Sequence, residues 1–125
     1  MEAFETLLNI AQRKARFDKT SSWADGAETY INEIKNEVDE VIEELPKGRV
    51  CYLEDELGDV LWDYVNALIA LEGEKGVTVE SVLKRACQKY EQRVSGIEGG
   101  KQWQEIKELQ NAELAKEQAQ RNKVK

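Results

Sequence analysis

Carboxylate side chains recur at helical spacing in two stretches of the sequence, residues 33–45 and 53–66. At 100° per residue, each stretch places its acidic side chains in one row beside an apolar face. Carboxylates in one row repel each other, and more strongly when they are partly dry. The rows therefore predict a compensating positive charge, and divalent cations fit that role. The two rows are Glu33, Glu37, Glu40 and Glu44, followed by Glu56, Asp59, Asp63 and Asn66.

A short connection, Pro46-Lys-Gly-Arg49, separates the two stretches. Connections of this kind join antiparallel helices, so the two acidic rows are predicted to face each other across a groove. The sequence contains no histidine, which excludes Ser-His catalysis, histidine bases and the Glu-x-x-His di-iron sites of four-helix proteins. It contains no EF-hand loop either. Ligand sets made only of oxygen atoms suit Mg²⁺ or Mn²⁺, and Mg²⁺ usually shares its shell with substrate phosphates.

The composition sets limits on size and partners. A chain of 125 residues, 41% of them hydrophobic, predicts one domain with one core. Its net charge of −7 argues against a nucleic-acid polymer or an anionic membrane surface as partner. An apolar run of about 18 residues, as a transmembrane helix needs, is absent, and the start lacks the features of a secretory signal. Cys51 and Cys87, at helical apolar positions, are predicted to be buried free thiols in a cytoplasmic protein.

Apolar residues follow a helical period almost everywhere, which predicts an all-α fold. Residues 1–110 are predicted to form a single domain, a four-helix-bundle-like core with an additional polar C-terminal helix. Residues 111–125 are predicted to form a polar C-terminal tail, of which the last ten residues are frayed. The glycine-rich stretch 95–100 is predicted to break the chain between the last two helices. The helices are expected over residues 3–17, 27–45, 50–72, 78 or 80 to 94, and 101–120.

The third predicted helix is apolar on nearly all sides. Its main apolar face, like that of the second helix, is predicted to point to the core. A second side carries Cys51, Trp62 and Ile69, which a small monomer has little spare core to cover. We therefore expect Trp62 and Ile69 in a subunit interface, the alternative being cover by the first or last helix of the same chain. The two core-facing sets include Val38, Ile42 and Leu45, and Leu57, Leu61 and Tyr64.

Two other features could bind a substrate. Trp23 lies inside the polar loop 18–26, where it either pins the loop to the core or forms a pocket wall on which a base stacks. Arg85, Lys89 and Arg93 form a basic row on the fourth helix. This row is either a solvated face with ion pairs to Glu33 or Glu44, or a clamp on phosphate oxygens. Carboxylates, a divalent metal and a cationic row together suggest phosphate-ester or phosphoanhydride chemistry.

The ordered motifs resemble a known family. Glu37-Val-Asp-Glu40, followed after a 15-residue gap by Glu56-Leu-Gly-Asp59, resembles the Glu-x-x-Glu and Glu-x-x-Asp signature of MazG-type nucleoside triphosphate pyrophosphohydrolases. Lys89-Tyr-Glu-Gln-Arg93 is similar to the later Lys-x-x-x-Arg element of that family. Ser22-Trp23 is similar to its Pro-Trp loop, although the loop here departs from the family's longer version. The resemblance covers about residues 20–107.

The resemblance implies hydrolysis of a nucleoside triphosphate to a monophosphate and pyrophosphate by an all-α protein. It implies Mg²⁺, with Mn²⁺ as a substitute, held by Glu37, Glu40, Glu56 and Asp59. It also implies a homodimer or, as a dimer of dimers, a homotetramer. A carboxylate that the metal leaves unsaturated can take the proton of water, and Glu37 and Glu40 are the two candidates. The predicted substrate-binding residues are Lys89 and Arg93 on the leaving pyrophosphate, with Trp23, Asp63 and Asn66.

Other functions stay open at this point. A relative in the same superfamily could act on dUTP or on phosphoribosyl-ATP. A chain of this fold could also be a non-catalytic helical interaction module, although four intact carboxylates argue against that. Nucleotide-pool house-cleaning is one physiological role compatible with the resemblance. The preferred base and sugar do not follow from the sequence.

Overall fold

The computed structural model describes residues 2–18 and 26–124, which form five α-helices and one 3-10 turn and contain no β-strand. This confirms the predicted all-α class. The residues group into two compact units, Met1–Val79 and Glu80–Lys125. The four-helix-bundle arrangement and the single domain over 1–110 stay predictions. The helices are α1 (Glu2–Asp18), α2 (Ala27–Glu44), α3 (Val50–Lys75), α4 (Val79–Glu98) and α5 (Trp103–Val124), with the 3-10 turn at Leu45–Lys47.

In the first unit, α3 packs along α2 and also contacts α1. The buried apolar side chains are mostly small or branched, which lets the helix backbones approach closely. Val65 is 1% exposed and is the largest side chain that is almost fully covered. From Val65 to Leu68 four consecutive residues are buried, so α3 is covered on all sides over that turn. The buried apolar residues of this unit are Ala11, Ala27, Val65, Ala67, Leu68 and Val79.

Polar contacts join α2 and α3 at both ends of the pair. At the start of α2, the Ala27 backbone N–H donates to Glu74 Oε2 at 2.9 Å. Gly26 precedes it with φ +90°, and a Cβ there would lie 2.9 Å from the same Glu74 oxygen. At the other end, Arg49 is paired with Glu44 across the connecting turn. Contacts between the start of one helix and the end of the other confirm the predicted antiparallel arrangement.

Part of the apolar face of each of α2 and α3 is exposed in the chain: the prediction that these faces point to the core is confirmed for Leu68 and wrong for the residues named below. On α2, Ile42 is 58% exposed, and on α3, Leu57 is 49% exposed. Before the buried turn at residues 65–68, α1 and α2 leave one apolar side of α3 uncovered, and the α2–α3 contact includes the acidic residues Glu37, Glu56 and Asp59. Trp62 and Ile69, assigned to an interface from the sequence, are half-buried within the chain. The exposed set comprises Ile31, Val38, Ile42 and Leu45 of α2 and its turn, and Val50, Tyr52, Leu57, Leu61 and Tyr64 of α3.

Two further predictions need correction. Cys51 and Cys87 are free, as expected, but both are exposed, because each lies on a helix side that the chain leaves uncovered. Residues 116–124, predicted to be frayed, are helical: α5 continues to Val124, and Glu117 accepts hydrogen bonds from Arg85 at 3.0 and 2.9 Å. Alternating acidic and basic partners stabilise this polar helix where apolar burial does not.

The second unit is a hairpin of α4 and α5, and its turn begins later than predicted. Gly96 lies inside α4, which ends at Glu98. Gly100 has φ +90°, the Lys101 N–H donates to the Gly96 carbonyl at 2.8 Å, and the Gly100 N–H donates to the Ile97 carbonyl at 3.0 Å. This is a Schellman end. A Cβ at Gly96 would overlap the Ile106 side chain, so this glycine leaves the space that Ile106 of α5 occupies against α4.

Replacing Gly96 by alanine should destabilise the protein by roughly 1 kcal/mol, because Ile106 is 6% exposed and has little room to move. The matched control is Gly73→Ala. Gly73 is also helical, but nothing lies within 4 Å of a Cβ built there. The gain in helix propensity should make that variant neutral or up to about 1 kcal/mol more stable. Urea unfolding measures both free energies, and equal effects in the two variants would contradict the Gly96–Ile106 contact.

Candidate metal centre

Three carboxylates from α2 and α3 converge in the groove between these helices. Glu56 and Asp59, three residues apart, share one side of α3, and Glu37 reaches them from α2. Each residue offers one oxygen, and the three oxygens all lie within 4.8 Å of one another. Carboxylate oxygens at such separations can bind one divalent cation. The structure thus brings together three of the four residues that the resemblance assigns to metal.

Glu37 and Glu56 each have one buried oxygen, Oε2, without a hydrogen-bond partner within the described part of the chain. A buried carboxylate oxygen without a partner loses the hydration it has in water and gains nothing in return. Both oxygens belong to residues of the converging set. A cation bound there would satisfy them, so the residues present fit a hard divalent metal ion.

The protonation of Glu37 reflects this environment. Burial raises its pKa from the ordinary value of 4.5 to about 7, together with a side-chain hydrogen bond to Glu40 and the charges of Glu40, Asp59 and Asp63. The groove therefore holds a proton near neutral pH when it holds no cation. Binding a metal ion would displace this proton, as it does at other carboxylate sites.

Glu40 is exposed, but it interacts with the same groups. A side-chain hydrogen bond with Glu40 is the first cause that raises the pKa of Glu56, followed by burial and by the charges of Glu40, Asp59 and Asp55. Burial, then the charges of Asp55 and Glu40, raise the pKa of Asp59. Glu40 therefore lies beside the three converging carboxylates.

Asp63 and Asn66 continue the α3 row and are buried, at 9% and 3% exposure. Burial raises the pKa of Asp63, and the charges of Glu33 and Asp59 raise it further. Asn66 Nδ2 donates to the Trp62 carbonyl at 2.8 Å. A cavity of about 600 Å³ adjoins Asn66 within the first unit. Its wall includes Tyr30, Ile69 and Ala70.

Sequence reasoning did not single out Tyr30 as a cavity residue. A signal was present, because Tyr30 precedes Glu37 by seven residues, close to two helical turns, and so lies on the same side of α2. The Tyr30 hydroxyl accepts a hydrogen bond from Lys14 Nζ at 2.8 Å. The sequence predicts Ile69 in a subunit interface, because its position around α3 lies away from the main apolar face of that helix.

The basic row on α4 makes its contacts with α5. Arg85 forms an ion pair with Glu117. The predicted ion pair of this row with Glu33 or Glu44 is therefore wrong for Arg85. Arg93 is 6% exposed: its Nε donates to Gln110 Oε1 at 2.7 Å, and its guanidinium lies 4.9 Å from the Trp103 ring centroid. Lys89 is exposed. Trp23 lies outside the described residues.

A comparison with models of protein families identifies the family of this chain. A profile of the MazG nucleotide pyrophosphohydrolase domain matches residues 25–96, more than half of the chain. The chain belongs to the MazG family. The matched range contains Glu37, Glu40, Glu56 and Asp59, and also the Lys89 to Arg93 element, and it extends over parts of both units. Comparison with curated proteins and with solved structures gave no match. Within the described residues, no helix has the length and apolar character needed to cross a membrane.

Stability without metal should fall as pH rises. The folded protein keeps a proton on Glu37 up to about pH 7, whereas the unfolded carboxyl releases it near 4.5. The stabilisation from the proton is therefore complete below about pH 4.5 and is lost as pH rises through 7. Urea unfolding in EDTA from pH 5 to 8 should show this decline. Glu37→Gln should flatten it, while Glu43→Gln, on the exposed side of α2, should leave it unchanged. If the free energy of unfolding of wild type rises over this pH range instead, Glu37 does not hold a proton in the metal-free groove.

Proposed function

We propose that this MazG-family protein hydrolyses a nucleoside triphosphate to the monophosphate and pyrophosphate, with Mg²⁺ as its metal and Mn²⁺ as a substitute. The observation that carries the proposal is the convergence of Glu37, Glu56 and Asp59, two of whose buried oxygens have no partner in the described chain. Such oxygens cost stability unless they bind a cation. In a nucleotide pyrophosphohydrolase, a bound cation would neutralise the charge of the substrate phosphates.

In this proposal Glu37, Glu56 and Asp59 hold the metal. When bound, Mg²⁺ neutralises phosphate charge and polarises the phosphoanhydride that is cleaved. Glu40 takes the proton of the attacking water. Its side chain is exposed and lies beside the three proposed metal ligands, but it is not one of them. Between the two candidates from the sequence, Glu37 is thereby proposed as a ligand and Glu40 as the general base.

The nucleoside is proposed to enter the cavity that Tyr30, Asn66 and Ile69 border. Its volume of about 600 Å³ lies in the range of small-molecule sites. Asn66 is a buried polar residue of the cavity wall, Asp63 is a buried polar residue three positions before it on α3, and Trp23 stays a proposed stacking partner. Lys89 and Arg93 are proposed as pyrophosphate ligands on the strength of their place in the family's later motif. Cleaning of the nucleotide pool is the proposed role.

A second copy of the chain is proposed to cover the exposed apolar face of α2 and α3. Ile42, Leu57 and Leu61 are 58%, 49% and 42% exposed, and burying each fully would contribute about 1.5–3 kcal/mol. A symmetric pair buries the same patch on both copies. The proposed homodimer, or a homotetramer made from it, therefore uses this face, and Trp62 and Ile69 are assigned to the interior of the subunit.

Product analysis tests the reaction. With Mg²⁺ and a panel of common ribo- and deoxynucleoside triphosphates, dUTP included, the protein should release pyrophosphate and a monophosphate. Glu40→Gln should lower the rate by roughly 100-fold or more, because about 100-fold is the low end of the usual contribution of a general base to the rate. Glu43→Gln, at an exposed α2 residue outside the carboxylate cluster, should react like wild type. Release of orthophosphate and a diphosphate would contradict the proposal, and no turnover of any nucleotide would favour a non-catalytic module.

Sedimentation tests the oligomer. Wild type should sediment well above the 14.3 kDa of one chain. Leu61→Glu should give monomers or unfolded protein, because a charge in an apolar interface is left without a partner. Leu109→Glu is the control: Leu109 lies on α5 and is 58% exposed, so this variant should sediment like wild type. A folded, active wild type that sediments as a single chain when dilute would contradict the oligomer.

A further inference from the structure

Glu44 and Arg49 form a bidentate ion pair at the connection between α2 and α3. Arg49 Nε donates to Glu44 Oε2 at 3.0 Å, and Arg49 Nη2 donates to Glu44 Oε1 at 2.7 Å. Glu44 is 6% exposed, an unusual degree of burial for a carboxylate. The Arg49 guanidinium also lies over the Tyr52 ring, 4.1 Å from its centroid. The hydrogen bond from Arg49 holds the pKa of Glu44 below its ordinary value, so both partners are charged at neutral pH.

The connecting turn has little else to hold it. Gly48 has a left-handed backbone, φ +67°, and nothing lies within 4 Å of a Cβ built there. Arg49 precedes α3 without capping it through its side chain. Leu45 is 59% exposed, so the turn is not anchored by apolar burial at that residue. Among the contacts described for this turn, the Glu44–Arg49 ion pair is the one that fixes two atoms of each side chain.

The position of the ion pair relates it to the carboxylate cluster. Glu44 follows Glu37 by seven residues on α2, and Arg49 precedes Glu56 by seven residues. Seven residues are close to two helical turns, about 10.5 Å, and return to nearly the same side of the helix. A slip of one residue between α2 and α3 would shift facing groups by about 1.5 Å and rotate them by about 100°. Metal–ligand distances tolerate only about 0.2 Å.

We infer that Glu44 and Arg49 are positioning residues, which set the register of α2 against α3 and so hold Glu37 opposite Glu56 and Asp59 for a divalent cation. The inference rests on the proposed function, because it concerns the affinity of the proposed metal centre. Neither residue belongs to the three converging carboxylates. The burial of Glu44 and the bidentate geometry of the pair serve the placement of other side chains. Glu44, which the sequence pattern places in the acidic row, thus has a different role from its neighbours in that row.

The α4–α5 hairpin offers a matched control. Arg85 donates to both oxygens of Glu117, at 3.0 and 2.9 Å, and so forms a second bidentate ion pair. Its two side chains are 50% and 42% exposed. Arg85 and Glu117 belong to the second compact unit, whereas the carboxylate cluster belongs to the first. The same substitutions in this pair therefore report what losing an ion pair does by itself.

The experiment measures Mn²⁺ binding to the metal-free full chain by calorimetry, without nucleotide. Arg49→Lys keeps the charge but loses the bidentate donor geometry, and Glu44→Gln keeps the shape but loses the charge. Each should weaken Mn²⁺ binding by about ten-fold or more, the size seen when groups that orient metal ligands are removed. Arg85→Lys and Glu117→Gln should bind Mn²⁺ like wild type. Circular dichroism of every variant reports whether helicity is kept.

The outcomes separate the two proposals. If wild type does not bind Mn²⁺, the metal centre of the proposed function is rejected, and the positioning role with it. If wild type binds and the Glu44 and Arg49 variants bind equally well, only the positioning role is overturned. Equal weakening in the control variants also overturns it, because the effect is then not specific to this turn. Loss of helicity in both Arg49→Lys and Glu44→Gln means that the pair supports folding as a whole, which overturns the narrower role.

Discussion

Repulsion between carboxylates inside one interhelical groove is the constraint on which the first unit depends. In a chain of net charge −7, α2 and α3 pack with Glu37, Glu56 and Asp59 turned towards each other. The raised pKa values of all three show that the contact favours protonated groups when no cation is present. Such an arrangement lowers the stability of the metal-free protein. Its persistence in the fold is typical of a functional site, where local rules are broken and compensated elsewhere.

Compensation comes from apolar burial and from the two ends of the helix pair. Val65 and Leu68 bury apolar area on α3, beyond the carboxylates along the helix. At one end Glu74 accepts a hydrogen bond from the first turn of α2, where the partial positive charge of the helix favours an anion. At the other end Arg49 neutralises Glu44. Contacts at both ends therefore hold α2 and α3 together on either side of the carboxylate cluster.

The second unit relies on different contacts. The α4–α5 hairpin has one well-buried apolar contact, Gly96 against Ile106, and otherwise uses polar side chains. Arg93 is covered by aromatic rings and bound to Gln110, and Gln110 in turn donates to the Lys89 carbonyl at 2.8 Å. A satisfied polar network of this kind can order a helix pair that has little apolar area to bury. It also explains how a strongly polar α5 remains helical.

The sequence by itself determined the all-helical class, the approximate helices, the antiparallel α2–α3 pair and the two acidic rows that supply Glu37, Glu56 and Asp59. These follow from helical period, turn residues and motif spacing, which are local properties of the chain. The tertiary structure alone decided that Leu57 and Ile42 face outward, that Glu44 belongs to Arg49, and that Gly96 lies within a helix against Ile106. A helix with apolar residues on several sides can bury any of them. Which side is buried depends on contacts between residues far apart in the chain, and the period of a single helix carries no record of those contacts.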